Sequence, residues 1–198
     1  MEDIKNKRTR ADLHLNQHQT IIEINKLDDM PNSSINEGEG IGVNKANKYG
    51  ETAFWIACKS GEIEIVEVLL NNEKVDVNKV DRDGMTPFCI ACQEGHLEVV
   101  KLLLNDMRVD INRQSNDGET PLSISCQNGY LQIVETLLAN RREVNLTTKN
   151  LEGKNVIDIA RDAENTQIVE LLESFECNPN EIRTKLRSQL GKILLFIY

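Results

Sequence analysis

The sequence predicts an all-α repeat solenoid, and its periodicity carries that prediction. Glycines recur at regular steps of 34, 34 and 35 residues, at Gly50, Gly84, Gly118 and Gly153. Short apolar segments recur in the same register behind them, each with one polar stripe. A period of roughly 20–50 residues is typical of stacked supersecondary units that share one core. We therefore expect four copies of one small unit, none of which would be stable alone.

Each copy is predicted to contain two short helices, most clearly in the second copy. Thr86 suits the N-cap, because its hydroxyl can accept from a free backbone N–H, and Pro87 fits the first helical position. Gly95 can end that helix with a positive φ. From Leu97 to Leu104 only Glu98 and Lys101 are polar, so the second helix should be buried over most of its circumference.

The other copies keep the same register. The N-cap position holds Thr52, Thr120 and, in the fourth copy, Asn155. One slot always holds a small residue, as expected where helices approach closely: Ala57, Ala91, Ser125 and Ala160. The helix-ending glycine recurs as Gly61 and Gly129, whereas the fourth copy has Glu164-Asn165 at that point.

The repeated unit resembles an ankyrin repeat, whose signature is T-P-L-H-x-A with a period of about 33 residues. The closest copies are TPFCIA at 86–91 and TPLSIS at 120–125, and the resemblance spans about Val43 to Ser174. The signature proline is replaced in the first and fourth copies. The signature histidine is missing from every copy, so its local hydrogen bonds should be lost or replaced; in its place stand Trp55, Cys89, Ser123 and Asp158.

The resemblance implies ankyrin-type helix-turn-helix repeats with short β-hairpin-like fingers. The fingers would lie at about 44–52, 78–86, 112–120 and 145–155. The last is two residues longer, which we interpret as tolerated loop variation. The expected division is an N-terminal segment 1–42, an array 43–174 and a C-terminal region 175–198. The copies within the array would span about 48–81, 82–115, 116–150 and 151–174.

The two ends of the chain do not follow the repeat. The start carries a basic cluster at residues 5–10, read as a solvated start or a nuclear-import signal, then a weak helical pattern over 12–25 and a linker over 28–42. After Asn178-Pro179, apolar residues at 182, 186 and 190 predict an amphipathic helix that docks on the last repeat and stops at Gly191. The apolar end, 193–198, would be exposed and prone to strand addition, or folded back, or a sign that the chain is a fragment.

Composition restricts the partners and the compartment. The 198 residues carry a net charge of −9, which argues against nucleic acid or an anionic membrane as the partner. We find no signal-peptide pattern and no apolar run of roughly 18–20 residues that could span a bilayer. Five cysteines in a chain of this size fit a reducing compartment. We expect a cytoplasmic or nuclear monomer.

Catalytic chemistry finds no support in the spacing of reactive residues. Cys89-Ile90-Ala91-Cys92 alone would suggest redox or metal chemistry, but Cys58, Cys92 and Cys126 are each one period apart and are better explained as core residues. No further Cys or His completes a zinc site, and His14 and His18 lack a third ligand. His96 is expected to be structural. We predict no enzyme activity, no metal and no cofactor.

Asn78 and Asn112 follow the outer helices in a shared pattern, Leu-x5-Asp-Val/Ile-Asn. In ankyrin arrays such asparagines can be hydroxylated. Hydrogen bonding to the loop backbone is the simpler interpretation and the one we favour.

By resemblance, the residues that the period does not fix would contact a partner protein. They lie on the fingers and at the ends of the first helices: Lys48, Tyr49, Glu51, Trp55, Lys59, Arg82, Asp83, Met85, Gln93, Asn116, Asp117, Glu119, Gln127, Leu151, Glu152 and Lys154. Trp55 has an alternative role, covering the N-terminal end of the array. The sequence thus predicts a non-catalytic protein-interaction module; the alternative is a targeting or adaptor subunit, or a fragment, of a larger enzyme complex.

Overall fold

The computed structural model describes the backbone of residues 42–195 and the side chains of residues 42–191. The predictions for the basic cluster, the helix over 12–25, the linker and the last residues of the apolar end lie outside the described residues. Within 42–195 the chain forms nine helices: α1 Ala53–Ser60, α2 Ile63–Leu70, α3 Pro87–Gln93, α4 Leu97–Leu104, α5 Pro121–Gln127, α6 Leu131–Ala139, α7 Val156–Asp162, α8 Thr166–Cys177 and α9 Pro179–Leu195.

The first eight helices form four pairs, which confirms the predicted solenoid. The inner helices α1, α3, α5 and α7 stack in chain order, and the outer helices α2, α4, α6 and α8 form a second layer. One hydrophobic core runs from Phe54 in α1 to Leu172 in α8. In the described range the hairpins contain only an isolated β-bridge, between Ala46 and Thr52.

The inner helices begin where the caps were predicted. The Thr52, Thr86 and Thr120 hydroxyls each accept from the backbone N–H three residues later, at 3.0–3.1 Å. In the fourth copy the Asn155 side chain accepts from the N–H groups of Ile157 and Asp158. Each cap satisfies backbone donors that the first turn of a helix leaves without a partner.

The inner helices end at a left-handed residue, which is glycine in the three copies where the next copy packs closely against it. Gly61 has φ +72°, and a Cβ there would lie 2.7 Å from the His96 ring. The same ring places Nε2 2.8 Å from Lys59 O, so His96 is structural, as predicted. Glu164 takes this position in the fourth copy and has φ 58°, the one positive φ outside glycine among the described residues.

The residues that replace the signature histidine make different hydrogen bonds in the four copies. Ser123 and Asp158 accept from the N-cap backbone N–H and complete capping boxes. Trp55 donates from Nε1 to Met85 O in the next copy, at 3.0 Å. Cys89 makes a weaker substitute, a long Sγ contact of 3.6 Å to Arg113 O. The histidine's bonds are therefore replaced in three copies and nearly lost in one.

The C-terminal helix α9 begins at Pro179 as expected but differs from the prediction in three respects. It packs on both α6 and α8, so it covers the third copy as well as the last. Helix α8 continues to Cys177, so the expected boundary at 174 falls inside it. Gly191 does not stop α9, which runs on to Leu195. Glycine in a helix costs about 1 kcal/mol but ends it only where the chain turns to positive φ, and Gly191 does not.

Candidate partner-binding face

The four fingers are tight turns held by one polar side chain each. In the first finger the Asn47 side chain accepts from the N–H groups of Tyr49 and Glu51, at 2.9 and 3.0 Å. Asp81 and Asn150 do the same in the second and fourth fingers, and Ser115 accepts from Glu119 N–H in the third. Asn and Asp favour such turns because their side chains reach their own backbone two residues on. The tips are therefore fixed locally.

Hydrogen bonds between neighbouring fingers join the tips into one row. Tyr49 O accepts from Arg82 N–H at 2.9 Å, Asp83 O accepts from Asn116 N–H at 2.9 Å, and Asp117 O accepts from Leu151 N–H at 3.1 Å. A Cβ on Gly84 would lie 2.8 Å from the Asn116 backbone nitrogen, so the approach requires glycine. The row presents side chains from all four copies at fixed relative positions.

The base of each finger meets the far end of an inner helix, and together they form one surface. In the first copy Lys59 Nζ lies 3.8 Å from the Glu51 carboxylate. At the equivalent positions of the fourth copy, Lys154 Nζ lies 2.9 Å from Asp162. A hollow of about 190 Å³ between the third and fourth fingers is lined by Glu119, Gln127 and these fourth-copy residues. We call the finger tips, finger bases and inner-helix ends together the inner face.

Most of the predicted partner-binding residues lie on the inner face with accessible side chains. The exposed ones are Lys48, Tyr49, Lys59, Arg82, Asp83, Gln93, Asn116, Asp117, Gln127, Leu151 and Glu152. The partly buried ones are Glu51, Glu119 and Lys154. Glu119 is occupied by internal bonds, accepting from Ser123 Oγ at 2.6 Å and Asn150 Nδ2 at 2.8 Å.

Two predicted contact residues are buried, which corrects the sequence prediction. Trp55 is 2% exposed and Met85 9% exposed. Trp55 packs between the first two copies, with Lys59 Nζ 5.2 Å above its ring. Met85 packs against Cys89 and Ile124. Both are large apolar side chains, Trp55 in the first turn of α1 and Met85 at a finger base, and burial stabilises them more than exposure would.

One inner-face residue was missing from the prediction. Asp162 ends α7 and forms the ion pair with Lys154. It stands in the register of Lys59, Gln93 and Gln127, so the repeat itself was a sufficient signal.

On the loop side, the equivalent side chains of Asn44, Asn78 and Asn112 each bind the next loop. The Asn78 side chain donates from Nδ2 to Arg108 O and accepts from Asp110 N–H, both at 2.7 Å. Asn112 makes the same two bonds to Glu143 O and Asn145 N–H. This geometry confirms the loop-bonding role expected for both asparagines.

The thiols of the repeat are interior groups. Cys58, Cys92 and Cys126 are fully buried, and burial raises the pKa of each thiol far above its usual range. A thiol that does not ionise is a poor nucleophile and a poor metal ligand. Among the described residues, no group of three or more His, Cys, Asp or Glu side chains could hold a metal ion. These observations support core packing.

The described helices include none long and apolar enough to cross a membrane. Their stacked pairs, joined fingers and accessible inner face define a helical repeat solenoid. A family model described as ankyrin repeats in three copies matches residues 22–115, and a second, described as ankyrin repeats in many copies, matches residues 105–160. The chain belongs to the ankyrin repeat family, whose members are generally non-catalytic protein-interaction modules. The first match begins at residue 22, before the array start expected at Val43. A search of curated proteins found no match.

Proposed function

We propose that this chain is a non-catalytic interaction module that binds a partner protein on its inner face. The observation that carries the proposal is the row of finger tips, joined by backbone hydrogen bonds and presenting exposed side chains from all four copies. Extended surfaces of this kind are how stacked repeats bind their partners. We further propose that the module acts as a monomer in the cytoplasm or nucleus.

Tyr49 is the strongest single anchor on this face. Its ring is 52% exposed, although it lies at a tip whose backbone is fixed by its neighbour. Lys48 Nζ lies 5.0 Å from the ring centroid, within the range of a cation–π contact. Tyrosine is enriched at binding hot spots because it offers a large contact area with few rotatable bonds. Arg82 lies on the next tip and is the other residue type favoured there.

The test compares proximity labelling in cells by the wild-type chain and two variants. The finger variant is Tyr49→Ala with Arg82→Ala; the control is Met107→Ala, an apolar residue that is 76% exposed but lies outside the row of tips. We expect the finger variant to lose specific partners that the control retains, with equal thermal stability for all three. Identical partner sets for the finger variant and the wild type would refute binding through this face.

A further inference from the structure

The two ends of the inner face carry opposite charge through an exchange of residues at equivalent positions. In the first copy Glu51 at the finger base lies opposite Lys59 on the inner helix. In the fourth copy the base holds Lys154 and the helix holds Asp162. The positively charged residue is therefore on the inner helix in the first copy and on the finger in the fourth, and the negatively charged residue is placed the other way round.

The tips give each end its net sign. Lys48 adds a second positive charge at the first copy, where the Glu51 side chain is only 17% exposed and accepts from Asn47 Nδ2 at 2.8 Å. Glu152 adds a second carboxylate at the fourth copy, 2.6 Å from Lys154 Nζ. The first copy therefore presents two lysines around one shielded glutamate, and the fourth presents two carboxylates around one lysine.

Between these ends the inner-helix positions are uncharged amides. Gln93 and Gln127 are exposed, and neither side chain makes a hydrogen bond within the described part of the chain. A primary amide can donate and accept, so it can bond to a peptide backbone in either direction. Of the two finger bases between them, Met85 is apolar, and the Glu119 carboxylate, which accepts from Ser123 and Asn150, lies beside the fourth-copy end and adds to its negative charge.

The distance between the ends sets the length of the occupant. Packed helices lie about 8–10 Å apart, so three steps along the inner layer separate the ends by about 24–30 Å. This exceeds the screening length of about 10 Å at 0.1 M salt, so each end acts on a ligand with its own sign. An extended chain advances about 3.3 Å per residue and would cover the distance in about 7–9 residues.

We propose that the inner face binds an extended peptide segment of the partner with a fixed order of charge. Its acidic end lies against Lys48 and Lys59, its basic end lies against Glu152 and Asp162, and Gln93 and Gln127 bond to its backbone between them. Tyr49 and Leu151, 52% and 78% exposed, contact apolar residues near the two ends. This proposal rests on the proposed function and specifies the class of partner.

The test uses two synthetic 12-residue peptides of identical composition. In the block peptide, glutamates occupy one end and lysines the other, with one leucine in each block and alanines between. In the interleaved peptide the same charges alternate. The binding of each labelled peptide to the full chain is measured by fluorescence anisotropy. We expect the Kd of the block peptide to be about ten-fold lower than that of the interleaved peptide. A ten-fold change in Kd corresponds to about 1.4 kcal/mol, which a few exposed ion pairs can supply.

Charge reversal of the protein provides the decisive control. Lys48→Glu with Lys59→Glu should weaken the block peptide about ten-fold, and so should Glu152→Lys with Asp162→Lys. All four substitutions together leave the net charge at −9 and should restore binding, because the peptide can bind in the opposite orientation. Far-UV circular dichroism melts would confirm that every variant is folded.

Three outcomes would overturn the proposal: no binding of the block peptide, equal binding of both peptides, or failure of the fourfold variant to recover. Equal binding would mean that the face does not recognise charge order. Any of these results together with partner loss in the Tyr49→Ala, Arg82→Ala variant would reject only the peptide class. If that variant also keeps every partner, the proposed function fails as well.

Discussion

Replacing Asn78 by alanine removes the two hydrogen bonds that tie one loop to the next. Both bonds are short, at 2.7 Å to Arg108 O and from Asp110 N–H. A neutral hydrogen bond contributes about 0.5–1.5 kcal/mol net, so the loss should be about 1–3 kcal/mol. For a chain of this size each 1 kcal/mol lowers Tm by about 2–4 °C, which gives a decrease of about 4–8 °C for a loss near 2 kcal/mol.

Asn145 provides a matched control at the equivalent position two copies further on. Its Oδ1 accepts only from its own turn, from the N–H groups of Thr147 and Thr148 at 2.9 and 3.1 Å. Thr147 Oγ1 also donates to it, at 3.0 Å. Asn145→Ala breaks no side-chain bond between copies, and it should cost less than about 1 kcal/mol because Asn145 is exposed and water can satisfy the three freed donors. Asn112→Ala, which loses bonds to Glu143 and Asn145, should resemble Asn78→Ala.

Urea unfolding followed by two probes distinguishes these cases. Trp55, the only tryptophan, reports on the first two copies, and far-UV circular dichroism reports on all helices. In a stacked array, stability is a sum of copies and their interfaces, so a weakened interface should separate the two transitions in Asn78→Ala. Equal loss of stability in Asn78→Ala and Asn145→Ala would refute the role of the bonds between copies.

Two further predictions concern the core and the C-terminal helix. In the native protein a thiol reagent at pH 8 should modify only Cys177, the one exposed cysteine among the five, because burial raises the pKa of Cys58, Cys92 and Cys126. In denaturant the reagent should modify all five cysteines. Rapid modification of more than one cysteine in the native protein would contradict this burial. Leu186→Ala in α9 should lower the free energy of unfolding by about 2–4 kcal/mol, because Leu186 is 4% exposed. The control Ser188→Ala, at an exposed position, should change the free energy of unfolding by less than about 0.5 kcal/mol. Equal melting temperatures of the two variants by calorimetry would show that α9 is not docked.

The sequence predicted the helix pairs well because their determinants are local and repeated. Thr86, Pro87 and Gly95 act within one helix, and each appears in other copies with the same spacing. Even Glu164, a non-glycine residue at a positive-φ position, did not obscure the pattern, since the surrounding apolar register was intact. Because the same local pattern occurs in several copies, a copy that departs from it at one position is still recognised as a repeat.

The candidate site was harder to predict because exposure there depends on how finger and helix meet. Trp55 and Met85 occupy positions that the period leaves variable, and variability alone suggested contact with a partner. Both are buried by contacts between copies, since Trp55 bonds to Met85 O and the Met85 side chain packs against Ile124, and no single copy encodes either contact. Asp162 is the opposite case, an exposed inner-face residue that the prediction left out. Its position is equivalent to those of Lys59, Gln93 and Gln127, but its copy matches the family signature poorly.

The end of the described array shows that α9 substitutes for a further loop. Arg108 donates to Leu70 O at the end of α2, and Arg142 donates to Asp106 O and Val109 O behind α4. Behind α6 the donors are Arg183 and Arg187 of α9, which bond to Leu138 O at 3.3 Å and Ala139 O at 2.7 Å. An outer helix leaves its last carbonyls without partners, and a cationic side chain there also favours the helix dipole. The chain passes from α8 directly into α9, so no further loop lies beside Asn145, and its side chain bonds within its own turn.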